Sequence, residues 1–402
     1  MADEARGREV ELDVLRIAHG GVAVAELDGR VVFVADSLPG ERVLARITDD
    51  RHDRFWRADA VRVLEPSPDR VPHVWAAAAI DRDPAQRAGG AEFGHIAPAR
   101  QRRLKTEVLR DALQRIGGLT AEQVAALDPA VAAVPGREDG IRSRTRVRLH
   151  VDRSGRVGPF AARSKRVVPV DDLPLAVEAA ERLLPRRARG RELDLVASGS
   201  GAFAAGPRDA RGPVVERVGE REFRLEALGF WQVHPAAPAV LTGAVRRAVD
   251  PALLDPDADN LDLYGGVGLL AAALAGDGDV RVTTVESEPR ASAHAAANLA
   301  DLPRARAVAA RVDAFLTGEP VPRPGATVLL DPPRSGAGAD VVAAIADARP
   351  AQVVYVACDP VALARDLGVF ASRGWRPATL EAFDLFPNTH HLEAVARLVP
   401  DA

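Results

Sequence analysis

The chain is poor in cysteine, lysine and aromatic residues, and it lacks a long apolar run. Its single cysteine, Cys358, excludes an internal disulfide and any metal centre that needs several thiolates. The N-terminus carries charged residues instead of an apolar signal segment, and the apolar stretch 267–276 is too short to span a bilayer. We therefore expect a soluble, cytoplasmic protein without membrane association, and no obligate protein partner is evident.

Basic and acidic residues are unevenly distributed, although they nearly balance over the 402 residues, 53 against 57. The length and the 47% hydrophobic content predict a globular protein of two or three domains. Residues 100–170 hold 16 basic and 7 acidic residues, whereas residues 251–402 hold 12 and 20. The basic middle region favours a polyanionic partner. A solvated arginine-rich face is the alternative.

The N-terminal region has the pattern of a small β-barrel. Residues 9–65 contain five short segments with alternating apolar positions. Turn signals at Gly20-Gly21, Asp28-Gly29 and Pro39-Gly40 separate them. This arrangement predicts a barrel of the OB type, followed by a proline-rich linker.

The central region is predicted to combine a helix, residues 98–116, with the strand pair 141–152 and 155–170. Side chains two residues apart lie on the same face of a strand. We therefore expect four arginines to line a groove for a phosphate backbone: Arg142, Arg144, Arg146 and Arg148. An exposed sheet face without a ligand is the alternative.

From about residue 226 strands and helices alternate, which predicts an α/β, Rossmann-like domain with a doubly wound parallel sheet. Its first strand ends in a loop with Gly265, Gly266 and Gly268, and Glu286 ends the next strand. Such a loop lets a ligand approach a helix N-terminus, while the acidic residue binds ribose hydroxyls. Because the full G-x-G-x-x-G pattern is missing, a nicotinamide cofactor has little support. A purely structural turn is the alternative.

Two further strands end in residues suited to chemistry. Asp331 and Cys358 each follow a buried strand, at the sheet edge where ligands bind. A lone cysteine is more often inert in a core, but this position favours a reactive thiol. His390 and His391 are not expected to bind a metal ion, because adjacent side chains diverge on extended chain and no third ligand is apparent.

Together these segments resemble the RNA uracil-5-methyltransferases, S-adenosyl-L-methionine-dependent enzymes that make 5-methyluridine in transfer and ribosomal RNA. The likeness covers nearly the whole chain. Residues 11–43 look like the TRAM domain, an OB-type RNA-binding barrel. The family's catalytic motifs are matched in order by GFWQVHP, LDLYGGVG, DPPRSG, YVACDPVALARDL and FPNTHHLE.

The resemblance implies three domains: a TRAM-like barrel at 1–66, a basic α+β central domain at 67–224 and a Rossmann-like methyltransferase domain at 225–402. It implies that Cys358 is the nucleophile and Glu393 the proton acceptor. Residues expected to contact the cofactor or the reacting base are Gln232, Tyr264, Gly266, Gly268, Glu286, Asp313 and Asp331.

The implied reaction is methylation of carbon 5 of a uridine in ribosomal or transfer RNA. A thiolate that adds to carbon 6 makes carbon 5 nucleophilic, and a base must later remove the carbon 5 proton. The rival interpretations are a catalytically silent RNA-binding protein and, with less support, a nicotinamide oxidoreductase.

The chain differs from many members of that family at three places. Those members hold an iron–sulfur cluster with four central cysteines, whereas here no such cluster can form and Ala91 occupies one cysteine's position. The local fold must therefore depend on packing. Gly265 stands where a cysteine is common, and Lys165 where a histidine is frequent. The last two differences concern substrate choice more than reaction type.

Overall fold

The N-terminal strands close into a barrel, because alternate apolar side chains of each strand point into one core. The computed structural model describes residues 5–207, 209, 211–276, 278–318 and 324–401. The barrel consists of β1 (Glu9–Ile17), β2 (Ala23–Leu27), β3 (Arg30–Ala35), β4 (Arg42–Asp49) and β5 (Phe55–Glu65). The order is β1-β2-β3-β5-β4, and β4 pairs with β1 to close it. The five predicted strands are confirmed.

The middle of the chain forms two small sheets and several helices. Short 3-10 turns at Ala76–Ala78 and Pro84–Gln86 precede them. The elements are α1 (Pro98–Arg115), α2 (Ala121–Leu127), β6 (Val131–Ala132), β7 (Arg146–Val151), β8 (Val157–Gly158), α3 (Glu178–Glu181), β9 (Glu192–Ser198), β10 (Gly201–Ala205), β11 (Val214–Val218) and β12 (Arg221–Leu225). One sheet has the order β10-β9-β7-β8, and β11 pairs with β12.

The predicted helix over 98–116 is confirmed, whereas the two predicted strands are much shorter than expected. The first begins only at Arg146, and the second is reduced to Val157–Gly158. After Gly158 the chain turns back, and only an isolated bridge joins Phe160 to Val167. Ala91 is buried in the apolar cluster of this region, so packing occupies the place of the absent cysteine ligands.

The C-terminal half alternates strands and helices as predicted. Its elements are α4 (Ala237–Ala248), β13 (Asn260–Leu263), α5 (Leu269–Ala275), β14 (Val282–Glu286), α6 (Pro289–Asn298), β15 (Ala305–Ala309), α7 (Val312–Gly318), β16 (Thr327–Leu330), α8 (Ala339–Asp347), β17 (Gln352–Ala357), α9 (Pro360–Ala371), β18 (Trp375–Phe383) and β19 (Glu393–Pro400). The strands from β13 to β17 are parallel, and β19 is antiparallel to both of its neighbours.

The large sheet has the order β15-β14-β13-β16-β17-β19-β18-β6. One apolar cluster covers one face with α1, α7, α8 and α9, and a second covers the other face with α4 and α5. From β13 the chain proceeds outward to β14 and β15 and then returns to β16 on the other side. Parallel sheets bind ligands at such a reversal point, outside the carboxyl ends of the strands.

Residues far apart in the chain complete this sheet. The short strand β6 lies in the middle of the sequence, yet it pairs in parallel with β18. Helix α1 packs against α9 beside it. Within the part of the chain that the structure describes, no helix is both long and apolar enough to cross a bilayer.

Candidate active site

A cavity of about 990 Å³ opens at the carboxyl ends of β13, β14, β16 and β17. Seven of the predicted site residues line it: Gln232, Tyr264, Gly266, Glu286, Asp331, Cys358 and Glu393. Two others lie outside its lining. Gly268 is the N-cap of α5, and Asp313 lies in the first turn of α7, where it pairs with Arg311 at 2.7 Å. The sheet edge therefore brings together residues that are more than 150 positions apart.

The loop after β13 is shaped for close approach of a ligand. Gly266 has a φ of 55° and Gly268 a φ of 89°, which glycine adopts without strain. A Cβ on Gly265 would lie 1.8 Å from Thr284 Oγ1 and 2.5 Å from Asp262 Oδ2. Glycine is therefore the residue that fits at position 265 with these neighbours in place.

Glu286 is held rigidly at the end of β14. Its Oε2 accepts a hydrogen bond from the backbone N–H of Gly266 at 3.1 Å. Its Oε1 accepts from the N–H of Glu288 at 2.7 Å and from the Ser287 hydroxyl at 3.1 Å. A fixed carboxylate beside a glycine loop fits the ribose hydroxyls of a nucleoside cofactor. These residues therefore fit the nucleoside part of S-adenosyl-L-methionine.

Asp262 lies beneath this loop and was not among the predicted site residues. Its Oδ2 accepts from the Thr284 hydroxyl at 2.8 Å and from the N–H of Ala271 at 3.2 Å. Its Oδ1 has no hydrogen-bond partner, although it is buried. Burial raises the pKa of Asp262 to about 7. The unpaired oxygen is an unsatisfied buried polar atom in a residue that borders the cavity.

The reacting end of the cavity contains a buried thiol and two carboxyl groups. Burial and the Glu393 carboxylate raise the pKa of Cys358 to about 12. Burial and the charge of Asp331 raise the pKa of Glu393 well above its usual value. Burial and the charge of Asp262 raise the pKa of Asp331 to about 7. In the free protein the thiol is therefore protonated, and the carboxyl groups are stronger bases than exposed ones.

Arg334 also lines the cavity, and the sequence interpretation did not assign it a role. Its positive charge lowers the pKa of Cys358 and of Glu393, opposing the effect of burial. The sequence did contain a signal, because Arg334 belongs to the same DPPRSG motif as Asp331. It is the cation that favours a thiolate at Cys358.

His390 and His391 do not diverge, so that reason for excluding a metal ion is wrong. Asn388 has a φ of 63°, which turns the chain, and the two imidazole rings lie 4.0 Å apart. Glu92 reaches them from the central region and hydrogen-bonds to the Nδ1 of His390. His391 lines the cavity with Cys358.

The four predicted RNA-binding arginines do not share one strand face, so that geometric expectation is wrong. Arg142 has a φ of 58° and pairs with Glu181, and Arg144 donates to the carbonyl oxygen of Gly90. Arg146 donates to the carbonyl oxygens of residues 227 and 229. Only Arg148 has a mostly exposed side chain, 57%, although it also pairs with Asp194. Their role in RNA binding remains a prediction.

Comparison with known proteins yields a consistent set of relatives. A family model described as tRNA (uracil-5-)-methyltransferase matches residues 324–399. An RNA methyltransferase of Streptomyces coelicolor is 39% identical, over 98% of this chain and 94% of its own length. A 23S rRNA (uracil(1939)-C(5))-methyltransferase of Pseudomonas fluorescens is 31% identical, over 97% of this chain and 94% of its own length.

A solved structure has the same overall fold. It is the Pyrococcus abyssi tRNA (uracil-54, C5)-methyltransferase in complex with S-adenosyl-L-homocysteine, with a TM-score of 0.68 and 20% identity. The match covers 96% of this chain and 100% of that one. The motifs, the cavity and the full-length relatives agree with one another and favour methyl transfer over nicotinamide chemistry. The chain therefore belongs to the S-adenosyl-L-methionine-dependent RNA (uracil-C5)-methyltransferase family.

Proposed function

We propose that this enzyme methylates carbon 5 of a uridine in RNA through a covalent adduct between Cys358 and carbon 6 of the base. One observation carries the proposal. Cys358 and Glu393 open into the same cavity as the glycine loop and Glu286, which fit the methyl donor. A nucleophile, a base and a donor site thus share one enclosure at the sheet edge.

The residue types explain how the reaction proceeds. Carbon 5 of uracil is a weak nucleophile, so Cys358 first loses its thiol proton to solvent, adds to carbon 6 as the thiolate and pushes electron density toward carbon 5. S-adenosyl-L-methionine, when bound, supplies the methyl group to the activated carbon. Glu393 then accepts the carbon 5 proton, and the carbon–sulfur bond breaks to release Cys358.

The electrostatics of the free protein keep the nucleophile in its unreactive, protonated form. Cys358 is a thiol at neutral pH because burial and Glu393 oppose its ionisation. The positive charge of Arg334 acts in the opposite direction and favours the thiolate. The raised pKa of Glu393 makes its carboxylate a better proton acceptor than an exposed glutamate.

The RNA must present an unpaired or flipped-out uridine, because carbon 6 is covered in a stacked helix. A second, open groove offers a surface for the flanking backbone. We name it the basic groove; its lining includes Gly89, Gly90, Arg148, Phe160, Arg163 and Lys165. Here His150 stacks on Phe160 with ring centroids 3.5 Å apart. Of the four predicted arginines, Arg148 is the one that we propose contacts phosphate directly.

The experiment that tests this function is mass spectrometry of nucleosides from ribosomal and transfer RNA, comparing cells with and without the gene. Because the Pseudomonas fluorescens relative acts on 23S rRNA, that fraction is analysed separately. Loss of 5-methyluridine from one RNA class is the expected result, and it names the substrate. Unchanged 5-methyluridine in both classes would contradict the proposal.

We place the enzyme in the cytoplasm, where bacterial RNA is modified.

A further inference from the structure

Three side chains with metal-binding atoms meet at the edge of the active-site cavity. Glu92 comes from the central region, and His390 and His391 come from the loop before β19. One carboxylate oxygen and one ring nitrogen from each histidine all lie within 4.8 Å of one another. Glu92 is one residue from Ala91 in the chain, and none of the three has a role in the reaction proposed above.

The surrounding structure holds these side chains in place. Gln101 of α1 bonds Asn388 twice, accepting from its backbone N–H at 2.8 Å and donating to its Oδ1 at 3.0 Å. A Cβ on Gly21 would lie 2.8 Å from the Cβ of His390, so the barrel packs directly against this loop. The convergence of the two histidines is therefore built by α1 and by the barrel together.

We propose that Glu92, His390 and His391 bind a divalent transition-metal ion, and that Zn²⁺ is the ion that fits. Two imidazole nitrogens and one carboxylate oxygen are a ligand set that Zn²⁺ uses in open sites with three protein ligands. The Glu92 carboxylate contacts the His390 ring through a shared proton. Because metal ligands must be deprotonated, binding of the ion would release that proton.

The charges that face the site are compatible with a cation. Lys105 and Arg334 both act on His391. Lys105 is neutralised by Asp384 at 2.5 Å, and the charge of Arg334 also acts on the Glu393 carboxyl group. Glu92 supplies the negative charge next to the two histidines.

The proposed site borders the cavity, because His391 lines that cavity. It is accessible to water or to an oxygen atom of bound RNA. Contact with RNA rests on the proposed function, whereas binding of the ion does not. The two are therefore separable by experiment.

The test uses the full-length protein, freed of metal with a chelator and without RNA or cofactor. Calorimetric titration with Zn²⁺ should show one equivalent bound per chain, with release of protons into the buffer. Co²⁺ should give the visible absorption of a tetrahedral nitrogen–oxygen site. Glu92→Gln and His391→Ala should each weaken binding at least tenfold, since even supporting residues of metal sites have effects of that size.

His294→Ala is the matched control, because His294 also pairs with a glutamate, Glu226 at 3.1 Å, but lies outside the cluster. Binding in this variant should be unchanged. The proposal fails if no stoichiometric binding occurs, or if Glu92→Gln and His391→Ala, both shown to be folded by thermal unfolding, bind as the parent does. It also fails if Co²⁺ shows a sulfur charge-transfer band that Cys358→Ala removes, since the ion would then sit on the thiol. Loss of 5-methyluridine formation by itself is not used as a readout of metal binding.

Discussion

At the scale of single residues, the proposed chemistry depends on how the protein holds one thiol. Cys358 directly follows β17 in a half-buried position, where burial, Glu393 and Asp331 raise its pKa and Arg334 lowers it. The balance favours the protonated thiol in the free enzyme. A cysteine in this state resists oxidation and unspecific alkylation, because the thiolate is the reactive form.

The state of Cys358 can be measured directly, because the chain has no other cysteine. With a pKa of about 12, we expect iodoacetamide to alkylate it roughly a hundredfold more slowly at pH 8 than a free thiol, after allowance for the greater nucleophilicity of a basic thiolate. The rate should rise about tenfold per pH unit from 7 to 10 without a plateau. Protein unfolded in urea is the internal control and should react at the free-thiol rate. A plateau below pH 9 would show that the thiol is more acidic than its surroundings imply.

Replacement of Glu393 should separate formation of the covalent adduct from its breakdown. Glu393→Gln cannot accept the carbon 5 proton, so turnover should fall by about 10²-fold or more. Removal of this carboxylate also removes a cause of the raised pKa of Cys358, so adduct formation itself is favoured. A protein–RNA species stable in a denaturing gel should therefore accumulate. The double variant Cys358→Ala with Glu393→Gln should show none, and an adduct in that control would refute the role of Cys358.

The sequence was sufficient to nominate Cys358, Glu393 and Asp331, because each lies beside or at one end of a strand and within a recognisable motif. It also nominated Glu286, which ends the strand after the glycine loop. It was not sufficient for Glu92, whose partner His390 is 298 positions away. Nor could it show that His390 and His391 converge, since this depends on one turn at Asn388. Contacts between distant segments arise from packing, and no local pattern encodes them.

At the scale of elements, the glycine loop and β14 form one unit. Gly265 has no side chain, and the Thr284 hydroxyl fills the space that a Cβ would need. The same hydroxyl satisfies Asp262 Oδ2 at 2.8 Å. A cysteine at position 265, as the family resemblance leads one to expect, would therefore require a different neighbour at position 284.

This coupling predicts non-additive effects on stability. Gly265→Ala should reduce the free energy of unfolding by about 1–3 kcal/mol through overpacking. Thr284→Ala should cost about 0.5–1.5 kcal/mol, because the buried Oδ2 of Asp262 loses one of its two hydrogen-bond donors. The double variant should lose less than the sum, since removal of the hydroxyl makes room for the new methyl group. Urea unfolding measures all three values, and strict additivity would show that the contact does not constrain position 265.

The central strand shows where periodicity misleads. Arginines at spacing two predicted a strand from residue 141, but Arg142 adopts a left-handed conformation and β7 begins at Arg146. Arg142 is held by Glu181 and by the carbonyl oxygen of Ala176 at 3.1 Å. The alternation of residue types was real. In the folded protein, however, those arginines bond to acidic side chains and backbone carbonyl oxygens instead of lining one strand face.

At the scale of the whole molecule, the barrel, α1 and the central region all meet at the edge that carries the cavity. His19 of the barrel lies 3.4 Å from Asp359, the residue after Cys358. The lining of the basic groove includes Gly89 and Gly90, and Gly90 is two residues before Glu92. Glu92 in turn bonds to His390, and the next residue, His391, lines the cavity. The basic groove and the cavity are thus linked through the Glu92–His390 contact, which suits the proposed entry of one base while the groove holds the flanking backbone.

The last prediction concerns the basic groove and the salt dependence of RNA binding. Arg148 and Lys165 are both exposed there. The double variant Arg148→Ala with Lys165→Ala should weaken binding, and the slope of log K against log salt should become shallower by about 1.5, since each phosphate contact contributes about 0.7–0.9. The slope can be measured by filter binding to the substrate RNA at salt concentrations from about 50 to 200 mM.

The matched control removes two cations from the opposite edge of the sheet. Arg349 lies before β17 and Arg373 lies before β18, and both side chains are exposed. Arg349→Ala with Arg373→Ala changes the net charge by the same amount, so any effect of overall charge appears equally in both double variants. Because those residues face away from the cavity, their loss should leave the slope unchanged. Equal slopes for the two double variants would mean that the basic groove is a solvated face and that the RNA backbone follows another surface to the cavity.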